Sequence, residues 1–363
     1  MNPSIPLILC VMLMLNTKAY AALSAKEYIS AVPNVSPDIL YPLTGSTNFG
    51  EFIENIIDGS LPKADTLFSE IMNLILPDIR MCTVYIASIL GFSILASCIK
   101  GSNLKLSGNS GEIAFLVCYF VVSGFVLGIL NSAAQIATNA SGELAAFIKM
   151  TLPAYIGIVS SMGVDFKGAQ AVFLVMINVV TTYAGSFMIN SFLYMGILTV
   201  LSNISLQMHI TKLIGIFRQV MFWMLGFILT VFAGFTALSG INAATGATSG
   251  IRAVKYTLGH TIPVVGGFLA DSAELIFASA KIFKNAFGTG GIIVVFAMCL
   301  IPVCKLFVVG FLLKFTAGIT EPFCDKRLCD TIYGAGQSVI YIMVALMLMS
   351  VMFILAFAIL LNI

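Results

Sequence analysis

The residue types that most often do chemistry are sparse in this sequence. It has two histidines, His209 and His260, and neither belongs to an HExxH motif. No GxSxG, paired-aspartate, GxGD or P-loop motif occurs. Cys324 and Cys329 in the segment CDKRLC have no second cysteine pair or histidine nearby that would complete a zinc site. The sequence therefore predicts that the chain is not an enzyme and binds no metal or cofactor.

Charged residues in an apolar context are more informative. Within segment 249–288, Asp271, Glu274 and Lys281 lie on one side of a predicted helix. The opposite side carries a largely apolar stripe that consists of Leu275, Ile276, Ser279, Ile282, Phe283 and Ala286. Charges at membrane depth are costly and usually mark a pathway or an internal ion pair. A helix that lies at the membrane interface is the alternative interpretation.

Two proline–glycine motifs stand at equivalent places in the chain. Segments 151–157 and 261–267 share the pattern T-x-P-x-x-x-G, and a Gly-Phe dipeptide recurs at the same offset at 124–125 and 234–235. Proline removes a backbone hydrogen bond and glycine permits irregular backbone. Such backbone is tolerated inside a membrane where it is buried in protein or lines water; the alternative is that both prolines kink packed helices. The candidate pathway or partner-docking residues are therefore Pro153, Gly157, Pro263, Gly266, Gly267, Asp271, Glu274 and Lys281.

The composition indicates which kind of fold positions these residues. Of the 363 residues, 59% are hydrophobic and only 9% are charged, whereas soluble domains carry roughly 25% charged residues. Apolar runs of this length fit spanning helices and are too long for barrel strands. The sequence predicts an all-α, polytopic integral membrane bundle with about 7–9 spans, broken helices and an internal parallel repeat. A net charge of +2 gives no reason to expect a nucleic-acid partner.

The chain divides into three predicted parts. Residues 1–21 resemble a signal peptide with a cleavage pattern at 19–21, and an uncleaved anchor is the alternative. Residues 22–80 form a small extracytoplasmic helical segment, and residues 81–363 form the transmembrane domain. Repeats are predicted at about 82–187 and 188–313, before a final span at 337–361. Basic loops containing Lys100, Lys105, Lys212 and Arg218 are expected in the cytoplasm.

The individual spans follow from the apolar runs. They are predicted near 82–99, 112–131, 144–163, 169–187, 188–206, 213–238, 258–280, 290–313 and 337–361.

The C-terminal half also carries a family resemblance. Segments 259–267 (GHTIPVVGG), 271–274 (DSAE), 284–288 (KNAFG) and 321–327 (EPFCDKR), together with Pro302 and Lys305, resemble the core of stage III sporulation protein AE. The resemblance implies a subunit of a channel complex in the mother-cell membrane around the forespore. It also implies partners: other stage III sporulation membrane proteins, ring-forming proteins and a cytoplasmic secretion-type ATPase.

A second function class remains open at this point. A stand-alone secondary transporter for a small solute would also explain a repeat, broken helices and charges within the membrane. Transport by the chain alone distinguishes a transporter from a subunit of a complex.

Overall fold

A computed structural model describes residues 49–57, 76–77, 83–98, 110–161, 169–204, 210–235 and 266–362. Every regular element in these ranges is helical. The signal peptide, Pro263 and most of the 22–80 segment lie outside the described residues. In chain order the elements are α1 (Phe49–Ile57), α2 (Thr83–Cys98), α3 (Ser110–Ser161), α4 (Ala169–Val180), a π-helix (Thr181–Met188), α5 (Ile189–Ser202), α6 (Thr211–Phe235), α7 (Gly266–Thr320) and α8 (Lys326–Asn362).

The helical membrane bundle is confirmed, but the predicted span count of 7–9 is wrong. The described residues contain five helices that are long and apolar enough to cross a membrane, and the shorter apolar helix α2. Three pairs of adjacent predicted spans each form one continuous helical segment. The pairs are 112–131 with 144–163 in α3, 169–187 with 188–206 across the π-helix, and 258–280 with 290–313 in α7, which is described from residue 266. The polar segments between them are helical, because a polar helix face is stable where it does not face lipid.

The predicted break at Pro153 is also absent. α3 continues through Pro153 to Ser161, and α7 likewise continues through Pro302. A proline removes one backbone hydrogen bond, and neighbouring helices compensate for that loss in membrane proteins. With 52 residues, α3 is roughly 78 Å long, so it extends beyond a hydrocarbon layer of roughly 30 Å.

Contacts between side chains fix the directions of the helices. Tyr119 of α3 bonds to Val200 and Thr331, whereas Tyr155, later in α3, packs on Phe357. α3 and α8 are therefore parallel. α5 is antiparallel to both, because its Gly196, which precedes Val200, lies against Leu130 and Ser338. We call the two ends of the bundle the Tyr119 end and the Tyr155 end.

α7 runs from the Tyr155 end to the Tyr119 end. Gly291 of α7 lies against Phe357, and Gly310 lies against Gly336. α6 lies antiparallel to the α4–α5 segment, because Phe222 packs on Phe192 while Met224 meets Tyr183. α3 and α6 thus share one direction, and α4–α5 and α7 share the other. The repeat itself stays a prediction.

α8 is the central helix of the bundle. It contacts α3, the π-helix, α5 and α7. Its buried residues recur every three or four positions along one broad face, which fits a helix packed on several sides. They include Leu328, Ile332, Ala335, Val339, Ile342, Ala345, Met349, Phe353 and Ala356. α6 is peripheral, since 17% of its most apolar 18-residue stretch is buried, compared with 56% of the corresponding stretch of α8.

We expect the last residues of α8 to lie outside the cytoplasm. Of the basic residues predicted to be cytoplasmic, Lys100 and Lys105 follow α2, whereas Lys212 and Arg218 lie in the first turns of α6 rather than in a loop. α2 and α5 both finish at the Tyr119 end, where Ser93 of α2 meets Cys324, and α6 begins there. α8 begins at that same end and runs to the other. Alkaline phosphatase fused after Asn362 should be active, and a fusion after Asn203 should be inactive. The opposite pair of activities would contradict this orientation.

Candidate functional site

The end of α3 and the first part of α7 meet at the Tyr155 end of the bundle. The Tyr155 ring stacks on Phe287 with a centroid distance of 5.7 Å and packs edge-on against Phe357 at 6.2 Å. Gly288 allows this approach, because an added Cβ would lie 2.6 Å from Leu361 and 3.1 Å from the Tyr155 hydroxyl. Three helices are therefore closely packed here.

This packing brings part of the predicted site together. Pro153 and Gly157 flank Tyr155 in α3, and Lys281 lies two turns before Gly288 in α7. Pro153 is half-buried, whereas Gly157 and Lys281 are exposed. The two predicted regions thus lie at one end of the bundle, and no contact between the predicted residues themselves is seen in the described part of the chain.

The remaining predicted residues are placed by backbone alone. Gly266 and Gly267 form the first turn of α7, so the predicted break there is a helix start. Asp271 and Glu274 lie in the same helix, and their side chains are outside the described structure. Their roles in a pathway or in docking stay predictions.

Lys284 is a buried cation one turn beyond Lys281. Only 6% of its surface is exposed. It lies three residues before Phe287, the residue that stacks on Tyr155. A buried ammonium group is costly unless it is paired or hydrated. Its KNAFG context was part of the family resemblance, but only the structure shows that this lysine is buried.

The outer face of α3 carries polar residues that the sequence analysis did not single out. Its exposed residues recur every three or four positions, and from residue 124 onward they are small or polar until Lys149. They are Gly124, Gly128, Asn131, Ser132, Gln135, Thr138, Asn139, Gly142 and Ala146. We call Asn131, Ser132, Gln135, Thr138 and Asn139 the α3 polar face. The helical periodicity of 124–146 indicates this stripe, but residues 132–143 fall between two of the predicted spans.

This face lies within residues 113–157 of α3, a stretch that is long and apolar enough to cross a membrane. Gly196 of α5 lies between Leu130 and Ser338, and Ser141 Oγ donates to Met349 Sδ at 3.2 Å. Segment 130–141 therefore lies alongside segment 338–349 of α8. Phe222 of α6 packs on Tyr341, inside that interval, with a centroid distance of 5.1 Å.

At this height α6 turns large apolar side chains outward. Trp223 is 73% exposed and Phe227 is 71% exposed. Such side chains fit lipid. The polar face of α3 is therefore level with these apolar side chains of α6 and with Arg218, whose guanidinium donates to the Tyr341 hydroxyl at 3.2 Å.

The interior beside this face is closed by apolar packing. Tyr119, Phe147, Tyr155, Phe192 and Phe353 are among its fully buried side chains. Gly185 of the π-helix packs so closely on Ser141 and Met349 that an added Cβ would overlap the serine hydroxyl. Most buried side chains of the described bundle are therefore apolar, and the buried polar ones are serines, threonines and Lys284.

The Tyr119 end is held by polar contacts. Tyr119 Oη donates to the Val200 carbonyl at 2.7 Å and lies 3.0 Å from Thr331 Oγ1. Cys324 Sγ donates to the Ser93 carbonyl at 3.2 Å, which ties the α7–α8 turn to α2. Burial, with smaller contributions from Cys329 and Asp325, raises the pKa of Cys324 to about 11. The thiol therefore stays protonated at neutral pH, which fits a structural role.

Metal-ligating residues do not converge in the described ranges, where no group of three His, Cys, Asp or Glu residues could hold an ion. Six of the cysteines are described there, and all six are free thiols.

Comparisons with known proteins give a family match over most of the chain. The family described as Stage III sporulation protein AE matches residues 47–363. Stage III sporulation protein AE of Bacillus subtilis (strain 168) is 24% identical over 253 residues, which cover 69% of this chain and 63% of that relative. The match thus spans less than two thirds of the relative's length. No solved structure matches the chain. Because the family match covers most of the sequence, this multi-pass membrane protein belongs to the stage III sporulation protein AE family.

Proposed function

We propose that the chain is a membrane subunit of a trans-envelope channel or transport complex that links the mother cell to the forespore. It would lie in the mother-cell membrane and be needed for forespore development after engulfment. Family membership supports a role in sporulation, and five membrane-length helices support a place in the membrane. The proposal assigns no catalytic step to the chain.

One observation favours a subunit over a stand-alone transporter. A transporter that works alone keeps its polar pathway inside the bundle, between its repeats. Here the described core is mostly aromatic and aliphatic, and the amide-bearing polar face of α3 is on the outside, within a membrane-length helix. Lipid cannot satisfy Asn131, Gln135 and Asn139. A surface of this kind suits contact with another protein, or with water that several chains enclose.

The proposed partners follow from what a channel complex needs. The described residues and the sequence supply no nucleotide-binding loop, so an ATP-driven step requires a separate cytoplasmic secretion-type ATPase. Ring-forming proteins and other stage III sporulation membrane proteins would complete the passage between the two membranes. The predicted residues Pro153, Gly157, Lys281, Asp271 and Glu274 are candidates for partner docking at the Tyr155 end.

Co-purification from sporulating cells tests the proposal. A tagged chain, cross-linked in intact cells and extracted from membranes, should bring with it a secretion-type ATPase and further stage III sporulation membrane proteins. The same chain purified alone in liposomes should move no solute. Recovery of the chain without such partners, combined with solute transport by the purified chain, would instead establish the stand-alone transporter.

A further inference from the structure

We propose that the α3 polar face is a self-association surface, through which two copies of this chain pair α3 against α3 in the membrane. The contact centres on Gln135, with Asn131 and Asn139 one turn to either side. The glycines at 124, 128 and 142 and Ala146 extend it along the helix. This inference does not depend on the partners named in the proposed function.

The polar face must be covered, because lipid offers no hydrogen bonds. All five of its side chains are exposed. Thr138 Oγ1 donates to the Ala134 carbonyl at 2.8 Å, whereas the amides of Asn131, Gln135 and Asn139 form no hydrogen bond within the described part of the chain. Each amide has two N–H donors and an acceptor oxygen to satisfy. Leaving such a group in hydrocarbon is costly, whereas pairing it across a helix interface removes that cost.

The chemistry of the face suits an identical partner. Copies in one membrane share an orientation, so paired α3 helices bring each residue close to its own counterpart. An amide or a hydroxyl can bond to its own kind, because each both donates and accepts. A carboxylate or an ammonium group would instead repel its copy, and no charged residue lies among the exposed residues of this face from 124 to 146. Lys149 marks the limit of the paired stretch.

Small residues allow the two backbones to approach. Gly124-x-x-x-Gly128 has the spacing that permits close packing of transmembrane helices. A Cβ added at Gly124, Gly128 or Gly142 would meet nothing within 4 Å. Gly196, Gly310 and Gly336, in contrast, already lie against neighbouring helices. The α3 glycines therefore allow an equally close helix contact, and no helix of the described bundle makes it.

Other outer faces of the bundle place bulky side chains among their small and polar residues. α7 presents Phe307, Phe311 and Phe315, which stack on one another along the helix. α6 presents Trp223 and Phe227. These bulky apolar side chains are compatible with lipid and prevent close backbone contact. The α3 polar face is thus the outer surface best suited to pairing.

Disulfide cross-linking in membranes tests the pairing. Gln135→Cys is placed in the full chain, and membranes from sporulating cells are treated with a mild oxidant. We expect a disulfide-linked product of twice the chain mass, absent from the unsubstituted chain, whose eight native cysteines provide the baseline. Trp223→Cys and Phe311→Cys are matched controls on lipid-facing surfaces and should give no such product.

A reporter at Ser132 tests which side chains hold the pair. With Ser132→Cys as the reporter, adding Asn131→Leu and Gln135→Leu should lower the cross-linked fraction by about threefold or more, since one interhelical hydrogen bond contributes a factor of this size. Leucine suits the membrane, so equal immunoblot signals should show that the chain is still inserted.

Three outcomes would overturn the inference. One is the absence of a dimer at Gln135→Cys in chains that accumulate normally. Another is a cross-link whose mass identifies a different protein. The third is modification of Gln135→Cys by a membrane-impermeant thiol reagent without dimer formation, which would assign the face to a water-filled passage. Each can occur while the chain still co-purifies with an ATPase, so this failure is distinct from that of the proposed function.

Discussion

The substitution Gly336→Leu should remove most of the chain from the membrane. Gly336 lies where α8 crosses α7, and an added Cβ would stand 3.0 Å from the Gly310 carbonyl oxygen and 3.0 Å from the Leu313 Cβ. One of these neighbours is backbone, which cannot rotate away. A leucine there must push apart two long helices of the bundle, at a cost of about 3 kcal/mol or more. An immunoblot of the membrane fraction measures the loss.

Gly318→Leu is the matched control for this prediction. Gly318 is an exposed glycine of α7, and an added Cβ would meet nothing within 4 Å. The chain carrying Gly318→Leu should accumulate and denature like the unsubstituted chain. If Gly336→Leu behaved in the same way, the close crossing of α7 and α8 described above would be wrong.

Tyr155→Ala should likewise produce a large loss of stability. Tyr155 is fully buried, stacks on Phe287 and packs edge-on against Phe357, so its ring joins α3, α7 and α8 at one end of the bundle. Removing a buried ring of this size costs about 3–5 kcal/mol, because the cavity is only partly refilled. The midpoint of thermal denaturation of the detergent-solubilised chain should fall accordingly.

Met150→Ala provides the comparison on the same helix. Met150 is 52% exposed, so truncating it removes a flexible apolar side chain without opening a cavity. Its denaturation midpoint should stay near that of the unsubstituted chain. Equal midpoints for Tyr155→Ala and Met150→Ala would show that the aromatic cluster does not hold the Tyr155 end together.

The class of fold could be predicted from composition, because so few charged residues are compatible only with a bilayer. The number of spans could not. Hydropathy averages over all faces of a helix, so the polar residues from 131 to 139 resembled a loop, although they occupy the outer face of α3. Pro153 resembled a break for a similar reason: its local cost is visible in the sequence, and the packing that offsets it is not.

The candidate site could likewise be predicted from the sequence only in part. Sequence spacing predicted Pro153, Gly157 and Lys281, and the structure brings their two helices to one end of the bundle. The burial of Lys284 depends on where α7 passes α3, which no single segment reveals. The π-helix at Thr181–Met188 likewise reflects the close contact of Gly185 with α3 and α8. Tertiary contacts of this kind override local propensity.

The central claim is that the chain acts in sporulation through the polar outer face of α3, and counts of heat-resistant spores test it most directly. Cells whose only copy carries Asn131→Leu, Gln135→Leu and Asn139→Leu are compared with cells carrying Thr230→Leu, an exposed hydroxyl on α6 that bonds only to its own helix. Membrane immunoblots should show normal amounts of both chains. We predict spore counts as low as in cells without the gene for the triple variant and normal counts for Thr230→Leu. Normal counts for the triple variant at a normal protein level would contradict the account.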